Sequence, residues 1–115
     1  VQRKFRLTRS DDFKRVRQSG KSYAHPLVVL VAQAGELPRV RVGVTAGRMV
    51  GNAIQRNRAK RLLREAMRPV LPDLPSGWDL ILIARPGAAR ASLEETRMAL
   101  TTLLHRAGLT PTHET

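Results

Sequence analysis

Cysteine is absent from the 115 residues, which removes disulfides, thiolate nucleophiles and thiolate-bound zinc together. No apolar run approaches the roughly 20 residues needed to cross a bilayer, and no secretory h-region follows the basic start. A cytoplasmic protein without a membrane partner is the expectation. Aromatic side chains are scarce: Phe5, Phe13, Tyr23 and Trp78 are the whole set. That disfavours a sheet reading single strands through rows of stacked aromatics, as an RRM or OB-fold does. Acids are few as well, 9 Asp and Glu against 21 Lys and Arg, a formal net charge of +12.

That charge asks for a polyanion. Nucleic acid fits best, because neutralising phosphates releases condensed counterions and favours many dispersed cations. Most of the cations are arginine, whose planar fork grips phosphate with two bonds or stacks on a base. An apolar content of 42% suffices for a core, and the length suits one RNA-binding domain over residues 1–115. Within it, residues 1–9 read as a basic arm and 109–115 as a flexible tail.

Patterning along the chain predicts a small α/β (α+β) two-layer sandwich, helices packed on a sheet. Ser10, followed by Asp11 and Asp12, looks like the N-cap of a first helix that places Phe13 and Val16 on one face and stops at Gly20. Leu27 to Ala32 is too short and β-branched for a helix and predicts a core strand. Val40, Val42 and Val44 alternate with Arg39, Arg41 and Gly43, a strand with one buried and one basic or open face. A long helix follows from near Asn52 to about Arg68, its apolar line running through Ile54 or Gln55, Ala59, Leu62, Leu63, Ala66, Met67 and Val70. Leu80 to Ala84 predicts a further strand, and Ser92 with Glu95 forms a capping box opening a last helix that ends at Gly108. With room for a short strand around Ser22 to Pro26, the order is α-β-β-(β)-α-β-α.

The densest basic block is RNRAKRLLREAMR, residues 56–68. Arg56, Lys60 and Arg64 step by four, and Asn57, Arg61, Arg64 and Arg68 by four, three and four. One side of the helix therefore enters the core while the other presents a comb of phosphate-reaching cations. Glu65 is the only acid among them, whereas solvated helix faces normally alternate in sign. Asn57 can bond a base edge, a sugar hydroxyl or the water of a metal ion. The histidines His25, His105 and His113 lie in separate elements and suggest no metal site. Asp11, Asp12, Asp73 and Asp79 read as caps and turn formers, not as the clustered carboxylates of a two-metal nuclease. Trp78 reads as a core anchor and Phe5 as packing on the sheet. No helix-turn-helix spacing or dimer seam points to DNA. Charge and pattern leave open a ribosomal-type structural RNA-binding protein.

The stretch GRMVGNAIQRNRAKRLLREAMR, residues 47–68, resembles the signature of the ribonuclease P protein family, with its Arg-Asn-Arg element. KFRLTRSDDFKRVRQSG resembles the family's opening, RVGVTAGR its conserved strand, and DLILIARPGAA with SLEETRMAL its last strand and helix. The resemblance implies an α/β sandwich with a left-handed β-α-β crossover. It implies a protein subunit that binds the catalytic RNA and the 5′ leader of precursor tRNA. The chemistry then belongs to the RNA, which uses magnesium ions to remove the leader and leave a 5′ phosphate; no residue of the protein is catalytic and no obligate protein partner is implied. By motif position, Arg48, Asn52, Arg56, Asn57, Arg58, Lys60, Arg61, Arg64 and Arg68 form the RNA-binding set, with Asn57 placed to help organise RNA-bound magnesium. Arg9, Phe13, Arg17, Tyr23, Val29 and Val31 form the leader-binding groove. Many family members carry aromatics where this chain has Arg17 and Val31, so leader contact here leans on charge and shape.

Overall fold

The computed structural model describes residues 5–109; residues 1–4 of the expected arm and 110–115 of the expected tail lie outside them. Seven elements follow in the order α1 (Ser10–Ser19), β1 (Lys21–Ala24), β2 (Val28–Ala34), β3 (Arg41–Ala46), α2 (Ala53–Met67), β4 (Trp78–Ala84) and α3 (Leu93–Arg106). The short strand anticipated near Ser22 is β1. The sheet order is β1-β2-β4-β3, with β1-β2 and β2-β4 antiparallel and β3-β4 parallel. Parallel neighbours need a crossover, and α2 supplies it between β3 and β4. Among the described residues no helix is long and apolar enough to cross a membrane.

The period of two along each strand divides the sheet into two faces. Val28, Leu30, Val42, Leu80 and Leu82 turn to one side, where α2 and α3 bury them with Leu63, Met67, Leu100 and Leu103. Val31 and Ile81 turn to the other, beneath α1, with Val16 and Leu7. The face expected to be open beside Val40 and Val42 is thus partly roofed by α1.

Three local expectations change. Arg9, not Ser10, is the N-cap of α1, and it makes no side-chain cap bond. The chain enters α1 from an anchored position, since Leu7 is buried and its N–H donates to Val42 O at 2.9 Å; tertiary anchoring overrides the local preference for serine. Leu109, assigned to the tail, is buried and donates to Leu104 O at 2.8 Å. Ile54 stands outside the apolar line of α2 altogether. Phe5 and Trp78 pack against the larger core as expected.

Candidate nucleic-acid interface

The first turn of α2 is fixed by a reciprocal cap. Asn52 Oδ1 accepts from Gln55 N at 2.9 Å, while Gln55 Oε1 accepts from Asn52 N at 2.8 Å. Asn52, expected among the RNA contacts, therefore has its side-chain oxygen engaged in the helix cap. From there the helix turns about 100° per residue, and burial of Ala59, Leu63, Ala66 and Met67 sets its core side. The same rotation gathers Asn57, Lys60, Arg61, Arg64 and Arg68 on one flank. Arg68 is shared there with Glu65, at 3.0 Å; the others have no acid within salt-bridge reach among the described residues.

Arg58 falls on the other flank. Its Nε donates to Ala89 O at 2.7 Å, tying α2 to the 3-10 turn Ala88–Arg90. Sequence spacing treated Arg58 and Arg61 alike, but only Arg58 is engaged by the Ala89 carbonyl. Arg56 lies nearer the core, half-buried, and its Nε is enclosed without a hydrogen-bond partner among the described residues. Arg48 is exposed in the turn that precedes α2.

The groove is built from cross-strand rows. On the α1 face the registers align Ala24, Val29, Ile83 and Thr45 in one row, Ser22, Val31, Ile81 and Gly43 in the next, and Gln33, Asp79 and Arg41 in a third. α1 roofs the second and third. Gly43 makes this possible: a Cβ there would come within 2.8 Å of Phe13 Cε2 and 3.0 Å of Leu7 O. The first row stays beside the helix, with Val29, Ile83 and Thr45 half-buried. With half-buried Phe13 it makes a shallow apolar strip, while Arg17 on α1 and Arg9 at its start are exposed.

Two expected groove residues are not in it. Val31 is only 3% exposed, sealed beneath α1. Tyr23 pairs with Leu30 and so points to the opposite face, where it packs against the larger core. Ile83 and Thr45 were missed; Ile83 could be placed on the face of Ile81 by alternation, but its neighbours across the sheet depend on strand order.

The third row holds the principal buried charge. Asp79, 1% exposed, accepts from Arg15 Nη2 at 2.6 Å and from Arg41 Nε and Nη2, both at 3.0 Å. Asp12 adds contacts to both arginines, at 3.3 and 3.5 Å, and Arg15 also donates to Gln33. Burial by itself would push the Asp79 carboxyl up; the hydrogen bonds and charges of Arg41 and Arg15 outweigh it and hold the carboxyl below its ordinary value. Hydrogen bonding to Asp79 in turn raises both arginines. Asp79 is thus the pin of α1, not the turn former its sequence neighbourhood suggested.

The two halves of the site meet at the β3 edge. One depression is lined by Arg6, Thr8 and Phe13 from the α1 side, by Gly43 and Val44 of β3, and by Arg64 of α2. The flank around Asn57 offers cations, one amide and the Glu65 carboxylate, which is already paired with Arg68, a donor set unsuited to direct magnesium coordination, which wants several oxygen ligands. Among the described residues no group of three or more His, Asp or Glu side chains is placed to hold a metal ion.

Comparison with known proteins adds relatives. The family model for ribonuclease P matches residues 1–108. The ribonuclease P protein component of Herpetosiphon aurantiacus is 41% identical over 109 residues, covering 95% of this chain and 89% of that protein. That of Chloroflexus aurantiacus is 38% identical, covering 100% and 87%. Among solved structures, the RNase P protein of Staphylococcus aureus superposes with a TM-score of 0.81 at 26% identity, covering 92% of this chain and 97% of that one. The Thermotoga maritima protein gives 0.77 at 30% identity, covering 88% and 96%.

Proposed function

The chain belongs to the bacterial ribonuclease P protein family, and from that premise we propose how its surface is divided between the two RNAs. As a member it is the protein subunit of ribonuclease P, binding the enzyme's RNA and precursor tRNA while the RNA carries the chemistry. In our reading the α2 flank of Asn57, Lys60, Arg61, Arg64 and Arg68, with Arg48 before it, grips the phosphates of the catalytic RNA. The 5′ leader lies along the strip of Phe13, Val29, Ile83 and Thr45, its phosphates met by Arg9 and Arg17. Magnesium ions are held by the RNA, with the Asn57 amide able to accept from an ion-bound water. A cytoplasmic location goes with that substrate.

The observation that supports this division is the depression lined by both Phe13 and Arg64. It brings Phe13 of the strip and Arg64 of the cation flank to one surface, and no acid lines it. The test is cleavage of labelled precursor tRNA at low magnesium with the RNA subunit alone, the protein alone, and both. Cleavage should require the RNA and rise strongly when the protein joins it, and shortening the leader to one nucleotide should remove much of that gain. Cleavage by the protein alone would overturn the assignment of the chemistry. A gain independent of leader length would overturn the groove.

A further inference from the structure

Three large apolar side chains of the described residues stand in solvent: Met49 at 84% exposure, Ile54 at 80% and Met98 at 62%. Met98 is on α3. Met49 and Ile54 both belong to the entry to α2, one in the 3-10 turn Arg48–Val50, the other the second residue of the helix. Val50 between them is buried, Gly51 takes a φ of 143°, and the Asn52–Gln55 cap closes the turn. Ile54 is nine residues before Leu63, about 180° around the helix from the core. An exposed β-branched residue lowers helix stability, so nothing in the fold accounts for it.

The surroundings define what such a pair would meet. From residue 37 to 64 the sequence contains no acid, and from 47 to 64 it contains six cations: Arg48, Arg56, Arg58, Lys60, Arg61 and Arg64. An apolar protein surface would leave those cations unpaired. RNA offers both partners at once, phosphates for the arginines and, wherever a nucleotide is unstacked, an apolar base face. Thioether and branched aliphatic groups pack well on such faces, and proteins use Met and Ile in this way as wedges against bases.

We infer that Met49 and Ile54 form an apolar contact with an unstacked nucleotide of the catalytic RNA, giving the α2 interface a salt-independent component. This rests on the family reading above and goes beyond its charge complementarity. The contact also selects: an unpaired nucleotide must lie at the α2 docking site, so continuous duplex cannot satisfy it.

The test measures binding of the RNA subunit against salt concentration for the wild type, for Met49→Ser with Ile54→Ser, and for the conservative pair Met49→Leu with Ile54→Val. The serine pair should bind about tenfold more weakly, with the slope of log K on log salt unchanged. The conservative pair should bind as the wild type does. All should melt alike, because the side chains are exposed, and all should bind a continuous RNA duplex equally. Unaltered affinity of the serine pair for the RNA subunit would overturn the inference. So would a changed salt slope, which would mean that the pair merely positions the cations. If the substitutions instead abolish self-association or binding to anionic phosphatidylserine vesicles and leave RNA binding intact, the patch serves another copy or a membrane, and the inference is wrong. Failure of the wild type to bind the RNA subunit would sink the family reading itself.

Discussion

Replacing Asp79 by asparagine preserves its shape and removes its charge, leaving Arg15 and Arg41 facing a neutral amide under α1. Removing one partner of a buried ion pair costs about 3–5 kcal/mol. Here Arg41 is 16% exposed but Arg15 is 37% exposed, and water screens the latter. The lower end, about 3 kcal/mol, is therefore expected, a fall in Tm of roughly 12 °C for a domain of this size. The pH dependence has a definite sign. Because the folded-state carboxyl is held below its ordinary value, its stabilisation is fully present above the unfolded value of about 3.9 and is lost as pH falls through the folded one. Urea unfolding of wild type and variant should thus differ by a constant amount from pH 8 to 5 and converge below pH 4. A gap that persists undiminished to pH 2, or one below 1 kcal/mol at neutral pH, would refute the picture of Asp79 as the pin of α1.

The remaining predictions separate contact from support. Arg61→Ala should reduce the salt slope of RNA-subunit binding by about one unit with little change in Tm. Arg58→Ala should also cost about 1 kcal/mol of stability in thermal unfolding, because its bond to Ala89 O is lost. Leu63→Ala, at the centre of the core, should cost about 3 kcal/mol in urea unfolding, whereas half-buried Leu62→Ala should cost clearly less. Gly43→Ala should cost about 1–3 kcal/mol by driving Phe13 from its seat. Adding Phe13→Ala should then cost less than it does in the wild type, a coupling that a double-mutant cycle measures.

What the sequence made legible was local. The cap at Ser92 holds because both partners lie three residues apart, and the strands hold because alternation and short β-branched runs are properties of consecutive residues. The family resemblance assigned Val29 and Val31 to one groove, and the period of two in a strand does put them on one face. Alternation could not say that α1 lies over Val31 and beside Val29, since that depends on Phe13 meeting Gly43 thirty residues later. Tyr23 was misplaced for the same reason: a lone aromatic on a four-residue strand carries no sign of which face it serves. Asp79 looked like a turn acid because its partners are 38 and 64 residues away. Arg58 failed differently. Its helical position was correct, but its bond to Ala89 depends on a turn after β4, which no spacing within α2 can announce.

α1 and α2 pack on opposite faces of the sheet, so the strip and the cation flank have no intrinsic reason to communicate. They meet at β3, an edge strand covered over part of its length by the Arg6–Val42 bridge. β3 needs a residue without a side chain at Gly43 to let Phe13 close over one face, while Val42 anchors the other beneath α2 and Arg64 reaches the same depression. An edge strand is usually the most replaceable part of a sheet. In this chain Gly43 and Val44 of β3 line the depression that Phe13 and Arg64 share. Perturbing β3 should therefore impair leader-dependent cleavage and catalytic-RNA affinity together, whereas changes confined to α1 or to the α2 flank should separate them.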